Sequence, residues 1–93
     1  MTEQSLDPRE RVASVLELLA RGEMSSQNAQ KEIAQIDAPW EQKDLDEAFH
    51  FLQHFVADED IRGWDASYAA AQMDTLRAIA ARLRRNRPAK YQA

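Results

Sequence analysis

Apolar residues recur along this chain at intervals of three and four, the spacing that places side chains on one face of an α-helix. The pattern occurs in four separate stretches, and residues that favour helix starts and stops lie at their boundaries. No alternation typical of a β-strand, no internal repeat and no glycine-rich loop occurs beside it. We therefore predict an all-α chain with helices over about residues 8–21, 26–37, 41–59 and 66–86.

The first two predicted helices have clear boundary residues. Asp7 can cap the first helix, and Gly22 can close it in a left-handed conformation. Ser25 or Ser26 can cap the second helix, which Pro39 prevents from extending much further. The apolar positions are Val12, Val15, Leu16 and Leu19 in the first helix and Ala29, Ile33 and Ile36 in the second.

The third and fourth predicted helices have longer apolar faces. Trp40 should anchor the entrance of the third helix, and Gly63 should end the region that follows it. Asp65 or Ser67 can cap the fourth helix. The apolar positions are Leu45, Ala48, Phe49, Leu52, Phe55 and Val56 in the third helix and Ala69, Met73, Leu76, Ile79, Ala80 and Leu83 in the fourth.

Short connections between these helices favour an antiparallel up-and-down four-helix bundle. The 93 residues suit one domain, which we place at 8–86 between a flexible N-terminus at 1–7 and a flexible basic tail at 87–93. The chain has no cysteine, which excludes disulfides and thiolate metal sites. With neither a secretory signal nor an apolar stretch of ~20 residues, we expect a cytoplasmic protein.

Charge is distributed unevenly along the chain. Nine acids and two bases lie between residues 37 and 65, whereas residues 76–93 contain six bases and no acid. The formal net charge of −4 therefore combines a negative middle with a positive end.

Metal chemistry and catalysis find little support in the residue pattern. Asp46, His50, His54 and Asp58 are spaced four apart, which could align metal ligands along a helix. The simpler interpretation is that each histidine pairs with its neighbouring acid. No nucleophile with a nearby base can be identified, so we predict a non-enzymatic protein without metal or cofactor.

The acidic connection before the fourth helix is the candidate site. Acids there favour the start of the next helix, and Trp64 could fold over the end of the bundle. Alternatively, large aromatic residues among acids form a surface that recognises a basic protein partner. The predicted partner-binding residues are Asp58, Glu59, Asp60, Trp64, Asp65 and Tyr68. Further acids that could extend this field are Glu41, Asp44, Asp46 and Glu47.

Three segments carry a family resemblance. "LLARGEMSSQNAQKEI", the aromatic helix with its acidic end "FLQHFVADEDIRGWD", and "LRAIAARL" together resemble the bacterial self-protective, colicin-like (colicin D type) immunity protein family. The resemblance covers most of residues 12–83. It implies a four-helix bundle that inhibits a cognate nuclease toxin by occupying its basic active site with the acidic surface.

Two other functions stay open. A thin apolar stripe on the second helix and the alanine-rich start of the fourth could leave a surface for a homodimer. Nucleic-acid binding is the other alternative, although the acidic middle would repel it. The basic residues that would contact phosphates are Arg82, Arg84, Arg85, Arg87 and Lys90.

Overall fold

A computed structural model of the protein describes residues 7–86. Residues 1–6 of the predicted N-terminal segment and the whole predicted tail at 87–93 lie outside the described residues. The described part is all-helical and contains no strand, as predicted. It has five helices, one more than predicted, because a short helix forms in the acidic connection. The helices are α1 (Pro8–Ala20), α2 (Ser26–Ala34), α3 (Lys43–Ala57), α4 (Glu59–Trp64) and α5 (Ala66–Arg85).

The predicted start residues of α1 and α2 and the Gly22 turn are confirmed, whereas α2 ends at Ala34, three residues before the predicted end. The Asp7 carboxylate accepts a hydrogen bond from the Arg9 amide at 2.9 Å, which satisfies one of the free amides at the helix start. Gly22 has a φ of 75° and follows α1. The Glu23 amide then donates to the Leu18 carbonyl at 2.9 Å, so the end of α1 is a Schellman motif. Ser25 caps α2.

One shared core lies between the four longer helices. Helix α1 packs most extensively on α5 and also contacts α2, whereas α3 contacts both α2 and α5. Burying each large apolar side chain stabilises the fold by about 1.5–3 kcal/mol. The largest fully buried side chains are Val12, Leu16, Leu45, Leu52, Phe55, Leu76 and Leu83.

Phe49 departs from the predicted apolar face of α3. Its side chain is 40% exposed, although it is spaced like its buried neighbours. At 100° per residue, Phe49 lies about 80° from the centre of the buried face, so it occupies the margin. There its ring contacts Trp40, with centroids 5.7 Å apart. Trp40 is partly buried and packs against the core, as expected for the entrance of α3.

The region between α3 and α5 is more structured than predicted. Gly63 does not end it but lies inside α4, and it lacks the positive φ found at Gly22. Asp65 separates α4 from α5 and caps α5, as predicted. None of the helices within residues 7–86 combines the length and the apolar character needed to cross a membrane.

Candidate functional site

Helix α4 is held to the body of the protein by an arginine instead of an apolar face. None of its residues is buried. The Arg62 guanidinium lies 3.5 Å from the centroid of the Phe55 ring and donates to the Phe55 carbonyl. It also donates to Gln72 Oε1 at 2.7 Å. Because the contacts of Arg62 with Phe55 and Gln72 already hold α4 in place, the remaining side chains of α4 do not have to pack inward.

Two large apolar side chains of α4 are therefore exposed. Trp64 is 77% exposed and Ile61 is 36% exposed. They are three residues apart on a helix, which places them on neighbouring positions of one face. Exposed apolar groups of this size on a polar rim are typical of protein-binding surfaces.

The acidic side chains at the start of α4 are exposed, so a partner can reach them. Glu59 and Asp60 are exposed, and neither forms an ion pair or a hydrogen bond with another part of the described chain. Together with Ile61 and Trp64 they form what we call the α4 surface. This surface combines negative charge with an indole, so it can attract a cationic group and provide an apolar contact beside it.

Asp58 and Tyr68, two other predicted contact residues, bond to each other within the fold. The Tyr68 hydroxyl donates to Asp58 Oδ2 at 2.6 Å, and Gln72 Nε2 donates to the same oxygen at 3.3 Å. The hydrogen bond to the Asp58 carboxylate is the main reason why the pKa of Tyr68 is raised, since losing the phenol proton would break it. Desolvation acts in the same direction, and the Arg62 cation opposes it.

Asp65 likewise serves the fold. Its Oδ1 accepts a hydrogen bond from the Tyr68 amide at 3.0 Å and caps α5. Of the six predicted residues, Glu59, Asp60 and Trp64 thus face solvent, whereas the polar atoms of the other three bond internally.

Two of the four acids expected to extend the negative field are neutralised by arginines. Asp44 forms an ion pair with Arg9, and Glu47 forms one with Arg82. The other two, Glu41 and Asp46, are exposed, and Asp46 Oδ1 lies 3.3 Å from His50 Nδ1. The predicted extension is therefore reduced to Glu41 and Asp46.

The histidine row on α3 does not come together as a cluster of ligand-type side chains within residues 7–86. No group of three or more ligand-type side chains within residues 7–86 could hold a metal ion. His50 Nδ1 lies 3.3 Å from Asp46 Oδ1, as the simpler interpretation predicts. The corresponding pairing of His54 with Asp58 is wrong, because the Asp58 carboxylate bonds to Tyr68.

The arginines proposed for nucleic-acid binding are also partly neutralised. Arg84 binds Glu10 and Glu17 of α1, and these bonds raise its pKa, while burial opposes them. Arg82 pairs with Glu47. Arg85 is exposed, and the predicted Arg87 and Lys90 lie outside the described residues.

A groove runs beside α4 on the side of the α1–α2 turn. Its volume is about 360 Å³, and Glu59 and Gly63 form its α4 wall. The side chains of the remaining lining are mostly apolar. The other lining residues are Leu19, Gly22, Met24, Ser25, Ser26, Phe55, Arg62 and Met73.

Three residues that matter for this site were not selected from the sequence. Arg62 is the only lysine or arginine between residues 44 and 76, which marks it as unusual within an acidic segment. Gln72 is a polar residue in the apolar stripe of α5. Its side chain is buried, and its polar atoms bond to Arg62, Asp58 and Tyr68. Ile61 is recognisable only once α4 is known to be helical.

Comparison of the chain with protein-family models, with curated proteins and with solved structures finds no match.

Proposed function

We propose that the protein is a non-enzymatic protein-binding module that captures a basic protein partner through the α4 surface. The observation that carries the proposal is the 77% exposure of Trp64 beside acids that have no counter-ion in the described part of the chain. An indole left in water contributes nothing to the fold, whereas in an interface its burial is among the largest contributions to affinity.

In this proposal the body of the protein is an antiparallel up-and-down bundle of α1, α2, α3 and α5. Contacts between α1 and α2, α2 and α3, α3 and α5, and α5 and α1 support it, because they close a ring of neighbours around one core. Helix α4 is an addition to that ring and displays its side chains without being part of the core.

The more specific form of the proposal is an immunity-type inhibitor. An acidic, apolar-anchored surface is suited to cover the basic groove in which a nuclease binds phosphates. Inhibition would follow from occlusion, so no catalytic residue of this chain is required.

The test begins with isolation of the partner from the native cell, followed by binding measurements with the purified, identified partner. Wild-type affinity should fall as ionic strength rises from about 0.01 to about 0.15 M, where the Debye length shortens from about 30 to about 8 Å. The double variant Asp60→Lys, Trp64→Ala should raise Kd by about 100-fold or more, since an anchor and a charge pair are both lost.

A matched control separates the α4 surface from general effects of charge and aromatic area. Glu32→Lys makes the same charge change on the exposed side of α2, and Phe49→Ala removes another exposed aromatic ring. Both should leave Kd within about twofold, which is the range of neutral interface positions. Equal losses in the α4 and control variants would reject the α4 surface.

Self-association is a second candidate that the same exposed apolar residues favour. Two copies could bury Ile61 and Trp64 against each other, although the acids of α4 would then face acids. Sedimentation at micromolar concentration decides between the candidates: a monomer rejects self-association, and a Trp64→Ala-sensitive dimer supports it. Nucleic-acid binding is less well supported, because Arg82 and Arg84 already have acidic partners.

A further inference from the structure

Gly63 occupies a position where the fold does not require glycine. It lies inside α4 and does not adopt the left-handed backbone that makes glycine necessary at Gly22. A Cβ atom added at Gly63 would meet no other atom within 4 Å. Glycine inside a helix destabilises it relative to alanine. Glycine at position 63 therefore destabilises α4, and neither the backbone conformation nor the packing explains its presence.

The groove beside α4 supplies a reason for this glycine. Gly63 lines the groove on one side and Gly22 lines it on the other, so both walls lack side chains there. These are the two glycines of the whole chain. A larger residue at 63 would project from the wall of the groove, whereas glycine keeps the groove open.

The lining of the groove suits an apolar guest of modest size. Met24 and Met73 are the partly exposed apolar side chains of the lining, whereas Phe55 is buried, and methionine adapts its shape to different guests. A volume of about 360 Å³ lies near the lower end of the ~300–1,000 Å³ range of ligand pockets. This size fits one or two side chains of a protein partner.

The charged residues at the rim of the groove indicate which residues of the partner should flank the apolar side chain. Glu59 lines the groove, Asp60 follows it, and both are free of counter-ions within the described chain. Arg62 is the cation in the lining, and its guanidinium is already bound to Phe55 and Gln72. An apolar side chain flanked by lysine or arginine therefore complements both the floor and the rim.

We infer that the groove between α4 and the α1–α2 turn receives an apolar side chain of the basic partner, with a flanking lysine or arginine of that partner on Glu59 and Asp60. The inference rests on the proposed function and adds to it the mode of engagement.

The test uses synthetic peptides as probes. The first is an amphipathic peptide of lysine and leucine at helical spacing; the second has every leucine replaced by alanine; the third has every lysine replaced by glutamate. Binding is followed through ¹³C-methyl signals of methionine in the full chain. Met24 and Met73 report on the groove, and Met1, the third methionine, serves as a reference.

The lysine–leucine peptide should shift the Met24 and Met73 signals, and the other two peptides should not. Gly63→Gln should weaken binding of that peptide by about tenfold or more, as expected for loss of one buried apolar side chain. Gly63→Ala should bind within about threefold of wild type, and so should Ala70→Gln on the exposed side of α5.

Two results would overturn the inference. One is a lysine–leucine peptide that leaves the Met24 and Met73 signals unchanged; the other is unchanged binding by Gly63→Gln. If, in a Trp40→Phe background, Trp64 fluorescence still responds to the peptide in either case, the α4 surface binds without the groove and the proposed function stands. If Trp64 fluorescence also fails to respond to the peptide, the proposed function fails with the inference.

Discussion

The two ends of α5 contrast in how the molecule uses its charged residues. Helix α5 is about 30 Å long, with α4 at its start and Arg9 at its end. At the Arg9 end, which we call the clamped end, Arg9 is 4% exposed and its guanidinium bonds to Gln42, Asp44 and the Leu83 carbonyl. Burial lowers the pKa of Arg9, while the Asp7 carboxylate opposes the shift. On the α4 surface, by contrast, Glu59 and Asp60 are exposed and have no partner within residues 7–86.

The contrast teaches that the number of charges in a segment does not tell which of them a partner can use. At the clamped end, hydrogen bonds and an ion pair of Arg9 connect the starts of α1 and α3 to the end of α5. Helix α4 is attached through one cation, Arg62, and the acids of the α4 surface stay exposed to solvent. Stability should therefore depend on the first group, and binding should depend on the second.

The largest expected effect is at the clamped end. Arg9→Ala leaves a partly buried Asp44 and a buried carbonyl without their donor, and should lower the free energy of unfolding by about 3 kcal/mol. Arg77→Ala breaks only the exposed pair with Asp74 and should change it by less than about 0.5 kcal/mol. Urea unfolding of both variants measures the difference. Equal losses would mean that burial at the clamped end has no special role.

The attachment of α4 is the next test of the contrast. Arg62→Ala removes a cation–π contact with Phe55 and hydrogen bonds to Phe55 and Gln72, and should lower the free energy of unfolding by about 1–2 kcal/mol. Amide exchange in α4 should accelerate more than exchange in α1. Unchanged protection of α4 would show that something other than Arg62 holds it.

The two glycines should respond in opposite directions. Gly22→Ala forces alanine into a left-handed conformation and should destabilise the fold by about 1–2 kcal/mol. Gly63→Ala places its Cβ in open space within a helix and should stabilise the fold by about 0.5–1 kcal/mol. Thermal unfolding of the two variants gives the comparison. A loss of stability in Gly63→Ala would remove the argument that its glycine serves the groove.

The smallest expected effect concerns the pKa of Tyr68, which is raised from the ordinary value of 10.0. Since the folded pKa lies above the unfolded one, the contribution to stability is present below pH 10 and is lost as pH rises through the raised value. In a Tyr91→Phe background, ultraviolet absorbance follows Tyr68 alone. Asp58→Asn should move the pKa back toward 10.0, and an unmoved pKa would exclude the Asp58 hydrogen bond as its cause.

Much of the helical structure could be predicted from the sequence, because its signals are local. Asp7, Ser25 and Asp65 cap the helices that follow them, since a cap bonds to amides only two or three residues away. Gly22 adopts the expected left-handed turn for a similarly local reason. Helix α4 was missed because its six residues contain only one pair of large apolar side chains at helical spacing, Ile61 and Trp64, which is too short a stretch to show periodicity.

The candidate site was only half predictable, since the missing half depends on partners distant in the chain. Glu59, Asp60 and Trp64 face solvent, whereas Asp58 and Tyr68 bond to each other, and the sequence alone left open whether Trp64 is exposed or folds over the end of the bundle. Their bond spans ten residues and two helices, so composition alone could not reveal it.

What the sequence by itself determined is the helical class, most helix boundaries and the existence of an acidic segment with an indole, because caps, turns and amphipathic spacing act over a few residues. Only the tertiary structure decided which charges remain available. Arg9 meets Asp44 and Arg84 meets Glu10 across 35 and 74 residues, so the helices had to pack before these charges could cancel. The exposed Trp64 and the groove beside Gly63 follow from the same packing, since they exist only where α4 lies against the body of the protein.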